Sequence, residues 1–541
     1  MPDILLIQPP IRDFYLTAKR TQPYGLACIA GALRRQGFDV AVADALATPK
    51  TRVLPWPEVL NFLKPYYGRQ DRSPFALFHQ WRHFGYSYEH LVNQARASGA
   101  TLIGISSLFT AYCDAALETA AHLKKALPHV RIVMGGHHPT ALPETVMQHD
   151  CVDYIVRGDG EAGLPALAEA LRRGGALEKV PGLVWRGADG RLTVRPPATV
   201  GDLEGLPLPA HDLIDGVYYS RSGQAGITLC ATRGCPMRCT YCAVNAGTWH
   251  GYRRRSVAAV MRDLQRAAAG RTVGFIDFED EHLNADKAWF QELLTALEEG
   301  FGGHRPELRA MNGLYAPSLD DRTIGHMARA GFRALNLAMI TTCAAQLKRF
   351  GRPEHLSAYD RVLTSAERYG LTAVAYLIVA GPEQEPEQSV ADLLYLAGRR
   401  VLAGVSVYYP APGSPDYQWC QDRGALPDQF GMMRATALPL NHRMDRTQIV
   451  TLLRLGRLLN FMKHLLDSGR GIPAPCRAPG GFPEGTCRQT VGEALLAAFL
   501  RDGKIRGVDE AGLVYDHLID PGLTEMFLMG LKGLSLRGAL S

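Results

Sequence analysis

No stretch of this chain approaches the roughly 18 consecutive apolar residues that a membrane-crossing helix needs, so a helical membrane span is not expected. The opening, Met1-Pro-Asp-Ile-Leu-Leu-Ile7, runs straight into a strand pattern. It has neither the basic start nor the long apolar core of a secretory signal. A basic block of the kind that marks a nucleic-acid-binding arm is also missing, and no nucleic-acid partner is expected. Net charge is only +6 over 541 residues. The one dense run, Tyr252-Arg-Arg-Arg-Ser256, reads as a solvated loop with Ser256 capping the next helix. A disulfide framework is excluded by its arithmetic: the cysteines number 11, an odd count, and three of them cluster. That usage predicts a reducing compartment and a cytoplasmic protein. There is no internal repeat and no low-complexity tract. What is present is an ordinary globular composition, 47% hydrophobic and 21% charged, in a chain long enough for several domains.

Against that background one cluster stands out, Cys235-Pro-Met-Arg-Cys239-Thr-Tyr-Cys242. It follows an apolar run, Gly226 to Cys230. Three soft thiolates so close in sequence can converge on one iron–sulfur cluster. A [4Fe–4S] cluster needs a ligand on each iron, so three cysteines leave one iron open to chemistry. Zinc sites usually come as two ligand pairs, and no second pair follows. Cys230 reads as a buried strand residue, because free cysteine packs as a small hydrophobe.

The fold class is α/β. Residues 1–181 read as a Rossmann-like domain with strands near 3–8, 38–43, 101–106, 130–134 and 152–156. Strands alternating with helices predict a parallel sheet that binds ligands at the carboxyl ends of its strands. Residues 48–98 form a long, aromatic insert between the second and third strands. Two readings stay open for it: a helical insert with its own aromatic core, or a cap over a ligand. His79 and His83, four apart, would share one helical face, as aromatic neighbours or as metal ligands. Residues 182–223 read as a linker with a short hairpin and a Pro-rich stretch. Residues 224–425 return to strand–helix alternation, as in a partial (β/α) TIM-type barrel, with sites at the C-terminal strand ends. The barrel strands are expected at 226–230, 273–278, 308–312, 333–339, 372–379 and 403–408. Residues 426–541 read as a mainly helical segment, either a lid or a substrate collar.

The cysteine triad, with Tyr241 just before its last member, resembles the radical S-adenosylmethionine (SAM) enzymes. Gly104-Ile-Ser-Ser-Leu-Phe-Thr110, Met134-Gly-Gly-His-His-Pro-Thr140 and Gly158-Asp-Gly-Glu161 resemble turns of cobalamin-binding Rossmann domains. Domain order and motifs together are similar to cobalamin-dependent radical SAM enzymes. The resemblance implies three cofactors: a [4Fe–4S] cluster on Cys235, Cys239 and Cys242, SAM on its open iron, and cobalamin. For cobalamin it implies Gln8 and Pro9 after the first strand, Tyr24 and Gly25 at the first helix, Ser106 and Leu108 after the third strand, Gly135, Gly136 and His137 after the fourth, and Gly158 and Glu161 after the fifth. His137 and His138 are expected to shape that turn or bond the nucleotide tail. For SAM it implies Tyr241, the carboxylates Asp280 and Glu281, Asn312, Val379, Gly381 and Tyr409. Glu281 alone also fits the acidic start of a helix.

Two departures qualify the match. The loop from Gln8 to Tyr24 contains no histidine, so the resemblance implies a nucleotide tail swung off cobalt without an imidazole replacing it. The fourth barrel strand lacks the usual Glu-Ser, which leaves Asn336 or Thr341 to take the ribose contacts. The implied activity is methyl transfer from methylcobalamin to an unactivated carbon of a small-molecule substrate, through a 5′-deoxyadenosyl radical. A rearrangement or cyclisation with the same cofactors is the alternative, and a corrinoid-binding sensor or carrier is the third. An electron donor such as flavodoxin or ferredoxin is implied as partner. No residue is assigned to act on the substrate itself.

Overall fold

Five short apolar runs pair side by side and in parallel. In the computed structural model, which describes residues 2–15, 22–244, 251–301, 305–440 and 442–539, the strands are Ile4–Gln8, Val40–Asp44, Leu102–Ser106, Arg131–Gly135 and Tyr154–Val156. In space Val40–Asp44 lies at one edge, then Ile4–Gln8, Leu102–Ser106, Arg131–Gly135 and Tyr154–Val156. Both faces are covered, which is why the strands read as continuous apolar runs rather than alternating ones. Leu5, Ile7, Ile103 and Ile105 pack into one layer, and Ile4, Leu6, Leu102 and Val133 into the other. The chain order reverses between Ile4–Gln8 and Leu102–Ser106, and ligands of such sheets bind outside the strand ends at that switch point.

The hairpin Leu183–Arg186 and Leu192–Val194 is not linker. It pairs antiparallel with Tyr154–Val156 and extends the sheet to seven strands. The first domain therefore runs past residue 181.

The barrel strands are Ala225–Leu229, Val273–Phe278, Glu307–Arg309, Ala334–Ile340, Thr372–Val379 and Leu402–Val407. They form two parallel three-stranded sheets, and single bridges such as Leu314 to Leu337 join them. Strand Thr372–Val379 shows the expected alternation. Ala373, Ala375, Leu377 and Val379 are buried toward the helices, while Val374, Tyr376 and Ile378 face the half-open interior.

The C-terminal segment completes the barrel rather than standing apart as a lid. Helix Arg446–Asp467 starts on a capping box of Asp445 and Gln448. It covers the last strand, and the Asn460 amide accepts from Ala403 N and donates to Ala403 O, both at 2.8 Å. That amide satisfies backbone the open edge would leave unpaired.

The insert has no separate core. Its strands Thr51–Val53 and Arg82–Phe84 join Ile11–Asp13 in a small antiparallel sheet. Phe14 packs against Trp56, Tyr67 and Trp81, and Phe75 against Phe461 of the C-terminal helix. The aromatic residues thus merge with the barrel's own core. His83 lies on a strand and bonds Tyr86 O at 3.0 Å, so it does not share a helical face with His79.

Candidate active site

At the switch point the turns after the third and fourth strands are stitched together. Ser107 N donates to Gly135 O at 2.7 Å, and His138 N to Ser107 O at 3.3 Å. Gly136 has φ 118° and ψ −176°, which L side chains rarely adopt, and a Cβ there would lie 2.5 Å from Ser107 O. The backbone itself therefore demands glycine at 136. Gly135 is different: its Cβ would meet only Val156 O, at 3.5 Å.

Polar atoms beside these turns lack partners. Ser107 Oγ and His138 Nε2 are buried without a hydrogen bond, although His138 Nδ1 lies 3.2 Å from Thr110 Oγ1. Burial pushes the His138 pKa down to about 4. Leu108 and Phe109, next along the chain, leave 44% and 52% of their surface exposed. Orphaned polar atoms beside exposed apolar ones are what a large, partly apolar ligand would cover, so this edge fits cobalamin. Gly25, at the first helix, also opens on free space.

Other residues expected there are engaged elsewhere. Tyr24 is buried in the domain contact, its hydroxyl 3.4 Å from Asp263 of the barrel. The neighbouring Gln22 side chain bonds Gly226 O and Thr228 N of the first barrel strand. Glu161 pairs with Arg233. Asp159 accepts from Arg233 at 3.3 Å and from Arg253 at 3.0 Å. Gly158 has φ 81° and would drive a Cβ into Ala198 O. The Gly158–Glu161 turn is therefore a docking point. The arginine run is likewise not a solvated loop: Arg253, Arg254 and Arg255 reach Asp159, Asp286 and Asp263. Ser256 does cap the next helix, accepting from Ala259 N. Gln8 and Pro9 lie where the first strand ends.

Across the gap stands the barrel mouth. Tyr15 of the first domain and Cys242 of the barrel both raise the Tyr409 pKa, after burial. Glu281 acts on His137 in the same way, opposing the fall that burial causes. Both Tyr409 and His137 remain solvent-accessible.

The cysteine loop is braced from below. Asp280 is buried, and its carboxylate accepts from Ala231 N at 3.2 Å and from Thr232 N and Oγ1 at 2.6 Å. Its pKa is pushed up to about 7, by burial above all, with those bonds opposing. With these donors bound, the buried Asp280 carboxylate fixes the approach to the loop. Glu281 is the exposed carboxylate; it accepts from Gly234 N at 3.2 Å. Thr240 is held by Asp416, which also takes Arg349 at 2.7 Å. Cys230 lies just past its strand, bonded to Glu279 O.

The three thiols sense one another. Burial pushes Cys242 up to about 11, and Cys239, Cys235 and Glu281 add to the rise. Thiols raised in this way stay protonated on their own, and it is a bound cation that would release their protons. Among the described residues no three Cys, His, Asp or Glu side chains close around a single ion. A four-iron cube is wider than an ion and does not require that, so the donor set fits a cluster.

Three non-glycine residues in left-handed backbone gather where the fourth and fifth barrel strands end: Ile340 at φ 73°, Ala380 at 60° and Glu383 at 62°. Such strain concentrates at ligand sites. Tyr241 packs edge-on against Phe350 there, at 5.1 Å. Gly381 sits under the same ring, with its N–H already given to Gln384. Val379 is buried, so only its backbone could meet a ligand. Asn312 is exposed and donates to Glu279. Thr341 is fully buried and bonded to Asp392, which removes it as a ribose contact. Asn336 is buried under Tyr376.

A B12 binding domain model matches residues 77–168, and a Radical SAM superfamily model matches residues 229–394. The chain is 23% identical over 476 residues to the cytidylyl-2-hydroxyethylphosphonate methyltransferase of Streptomyces wedmorensis, spanning 80% of this chain and 84% of that one. It is 26% identical over 288 residues to the anaerobic magnesium-protoporphyrin IX monomethyl ester cyclase of a Synechocystis species, spanning 52% and 56%. Among solved structures it resembles the radical SAM methyltransferase TsrM of Kitasatospora setae, with a TM-score of 0.58 at 18% identity, covering 79% of this chain and 76% of that one. No helix among the described residues is long and apolar enough to cross a membrane. With a B12-binding domain ahead of a radical SAM domain in one chain, the protein belongs to the cobalamin-binding radical SAM family.

Proposed function

We propose that the chain is a C-methyltransferase acting on a small molecule. The observation that carries this is the joining of the sheet's carboxyl edge to the cysteine loop: Arg233, two residues before Cys235, pairs with Asp159 and Glu161 just past the fifth strand. Methyl transfer needs a methyl carrier and a radical generator to reach one substrate carbon. When bound, the cofactors supply a methyl group on cobalt and a 5′-deoxyadenosyl radical that removes hydrogen from that carbon.

The chain's own residues then have separable tasks. Cys235, Cys239 and Cys242 would hold the cluster. Glu281 would accept from the SAM amino group, with Tyr241, Asn312, Val379, Gly381 and Tyr409 around it. Ser106, Leu108 and the Gly135-Gly136 turn would hold the cobalamin tail, and Ser107 and His138 would bond it. Gly25 would leave room at the helix start, and Gln8 and Pro9 would border the first-strand loop. The carboxylates of Asp159 and Glu161 hold the two edges in register through Arg233 and Arg253.

The electron would come from a one-electron carrier such as flavodoxin or ferredoxin. The outer face of the cysteine loop, where Arg238 and Lys348 are exposed, suits an acidic partner. Cytoplasmic residence fits eleven free cysteines.

The second reading, a cyclisation without methyl transfer, is favoured by the likeness to the Synechocystis cyclase. SAM carrying an isotopically labelled methyl group separates them. With anaerobically reconstituted protein and metabolites from its genomic neighbourhood, the label is expected in the product. 5′-Deoxyadenosine formation with a changed but unlabelled product would favour the cyclisation.

A further inference from the structure

Two polar side chains approach the cysteine sulfurs from outside the loop. His282 is 6% exposed, and its Nδ1 lies 3.3 Å from Cys235 Sγ. Its Nε2 is buried with no partner. Arg352 Nη1 lies 3.7 Å from Cys239 Sγ, while Nη2 donates to Ala338 O at 3.2 Å. Tyr315 stands against both: its ring meets the His282 ring edge-on at 5.5 Å, and the Arg352 guanidinium lies 5.4 Å from its centre. Tyr315 is itself pinned, because Asn284 donates to Tyr315 O at 3.0 Å and accepts from Tyr315 N at 3.1 Å. Two donors set on so constrained a frame have fixed aim.

A thiolate bound to iron has no proton to give. The proton shared between Cys235 and His282 must then sit on the ring, which assigns the Nδ1–H tautomer. Arg352 can only donate. Backbone N–H groups serve the thiols as well, that of Met237 at Cys235 and that of Val244 at Cys242.

We infer that His282 and Arg352 are positioning residues that donate hydrogen bonds to Cys235 and Cys239 and so set the reduction potential of the iron–sulfur cluster. This rests on the cluster assignment made above. Reduction adds negative charge to the cluster and its thiolates. A donor aimed at a thiolate stabilises the reduced state more than the oxidised one. Each donor therefore raises the potential and makes the electron easier to accept.

The test is a paramagnetic-resonance redox titration of reconstituted protein without SAM, with iron and sulfide content measured on the same samples. His282→Phe keeps the ring contact with Tyr315 and removes the donor. The ratio of reduced to oxidised cluster at a fixed applied potential is expected to fall about tenfold, about 59 mV for one electron. Arg352→Leu should move it the same way. His282→Asn places an amide N–H where Nδ1 was and should restore the wild-type midpoint. His282→Gln, reaching toward Nε2, should not. If the Phe variant takes up no iron, the Asn and Gln variants still decide the matter. Full cluster content with an unmoved midpoint in His282→Phe, or equal midpoints for Asn and Gln, would overturn the inference. Absence of a cluster from the wild-type protein would instead overturn the assignment beneath it.

Discussion

The turns Gly135-Gly136 and Gly158-Asp-Gly-Glu161 end neighbouring strands of one sheet, and both resemble cobalamin turns. The structure separates them. Beside the first, Ser107 Oγ and His138 Nε2 have no partners. At the second, Asp159 and Glu161 are already joined to Arg233 and Arg253 of the barrel. Beside one turn there is unmet bonding capacity, while the carboxylates of the other are engaged. Arg233 directly precedes the cysteine loop, so the docked turn touches the cluster region while the open turn faces it across the gap. A carboxylate in a glycine turn is thus ambiguous until its counter-ion is known.

The sharpest break of the comparison is at the barrel. Changing Cys235, Cys239 and Cys242 together to alanine should abolish cluster absorbance while cobalamin stays bound, because the open turn owes nothing to those thiols. A cluster retained in the triple variant would move the ligands elsewhere.

Next in size is the docked turn. Arg233 and Glu161 are 22% and 7% exposed, and removing one partner strands the other's charge. Arg233→Ala should cost about 3 kcal/mol, read as a lowered denaturation midpoint. Glu161→Ala in the Arg233→Ala background should then cost little more. Additive losses would mean that the pair is not a clasp.

Gly136→Ala should cost about 2 kcal/mol through strain alone, and it should do so in protein free of cobalamin. A wild-type apo melting temperature would show that the turn relaxes and that the glycine serves the ligand instead.

The open turn also has a pH signature. His138 is held neutral, with a folded pKa near 4 against an ordinary 6.5. A depressed histidine gives its full stability above about pH 6.5 and loses it as pH falls toward 4, by up to about 1.4 kcal/mol per unit. Apo protein should melt lower at pH 5.5 than at pH 7. His282 titrates in the same window, so His138→Gln should remove only part of the slope. An unchanged slope would place His138 outside it.

How much of this was legible before folding depended on how local the cause was. Strands Val273–Phe278 and Thr372–Val379 fall where their patterns place them, since burial writes itself directly into such runs. The insert misled because its aromatic residues look self-sufficient. Their partners lie far along the chain: Arg454, which bonds Phe75 O, is 379 residues away. The arginine run misled for a related reason: Asp159, the partner of Arg253, is 94 residues away, although Asp263 lies only eight from Arg255. The hairpin at 183–194 resembled a linker because its outer strand, Leu192–Val194, is short and buries none of its residues. Asp280 and Glu281 are chemically alike, and only the turn that aims one at Thr232 and the other at the gap tells them apart.

The smallest effect is the most discriminating, because it belongs to the open turn alone. Gly135 has room for a Cβ, with only Val156 O at 3.5 Å, and it is not among the residues with left-handed backbone. Gly135→Ala should therefore leave the apo stability within about 0.5 kcal/mol of wild type. If the cobalamin tail passes this point, the added methyl occupies space beside it, and cobalamin affinity should fall severalfold while cluster content stays full. Gly25→Ala, at the open start of the first helix, provides the companion measurement. Gly158→Ala is the contrast: a Cβ there runs into Ala198 O, so stability should drop and affinity follow only as far as folding does. If Gly135→Ala binds cobalamin as tightly as wild type, the turn is open for some other reason, and the difference between the two glycine turns no longer marks the ligand.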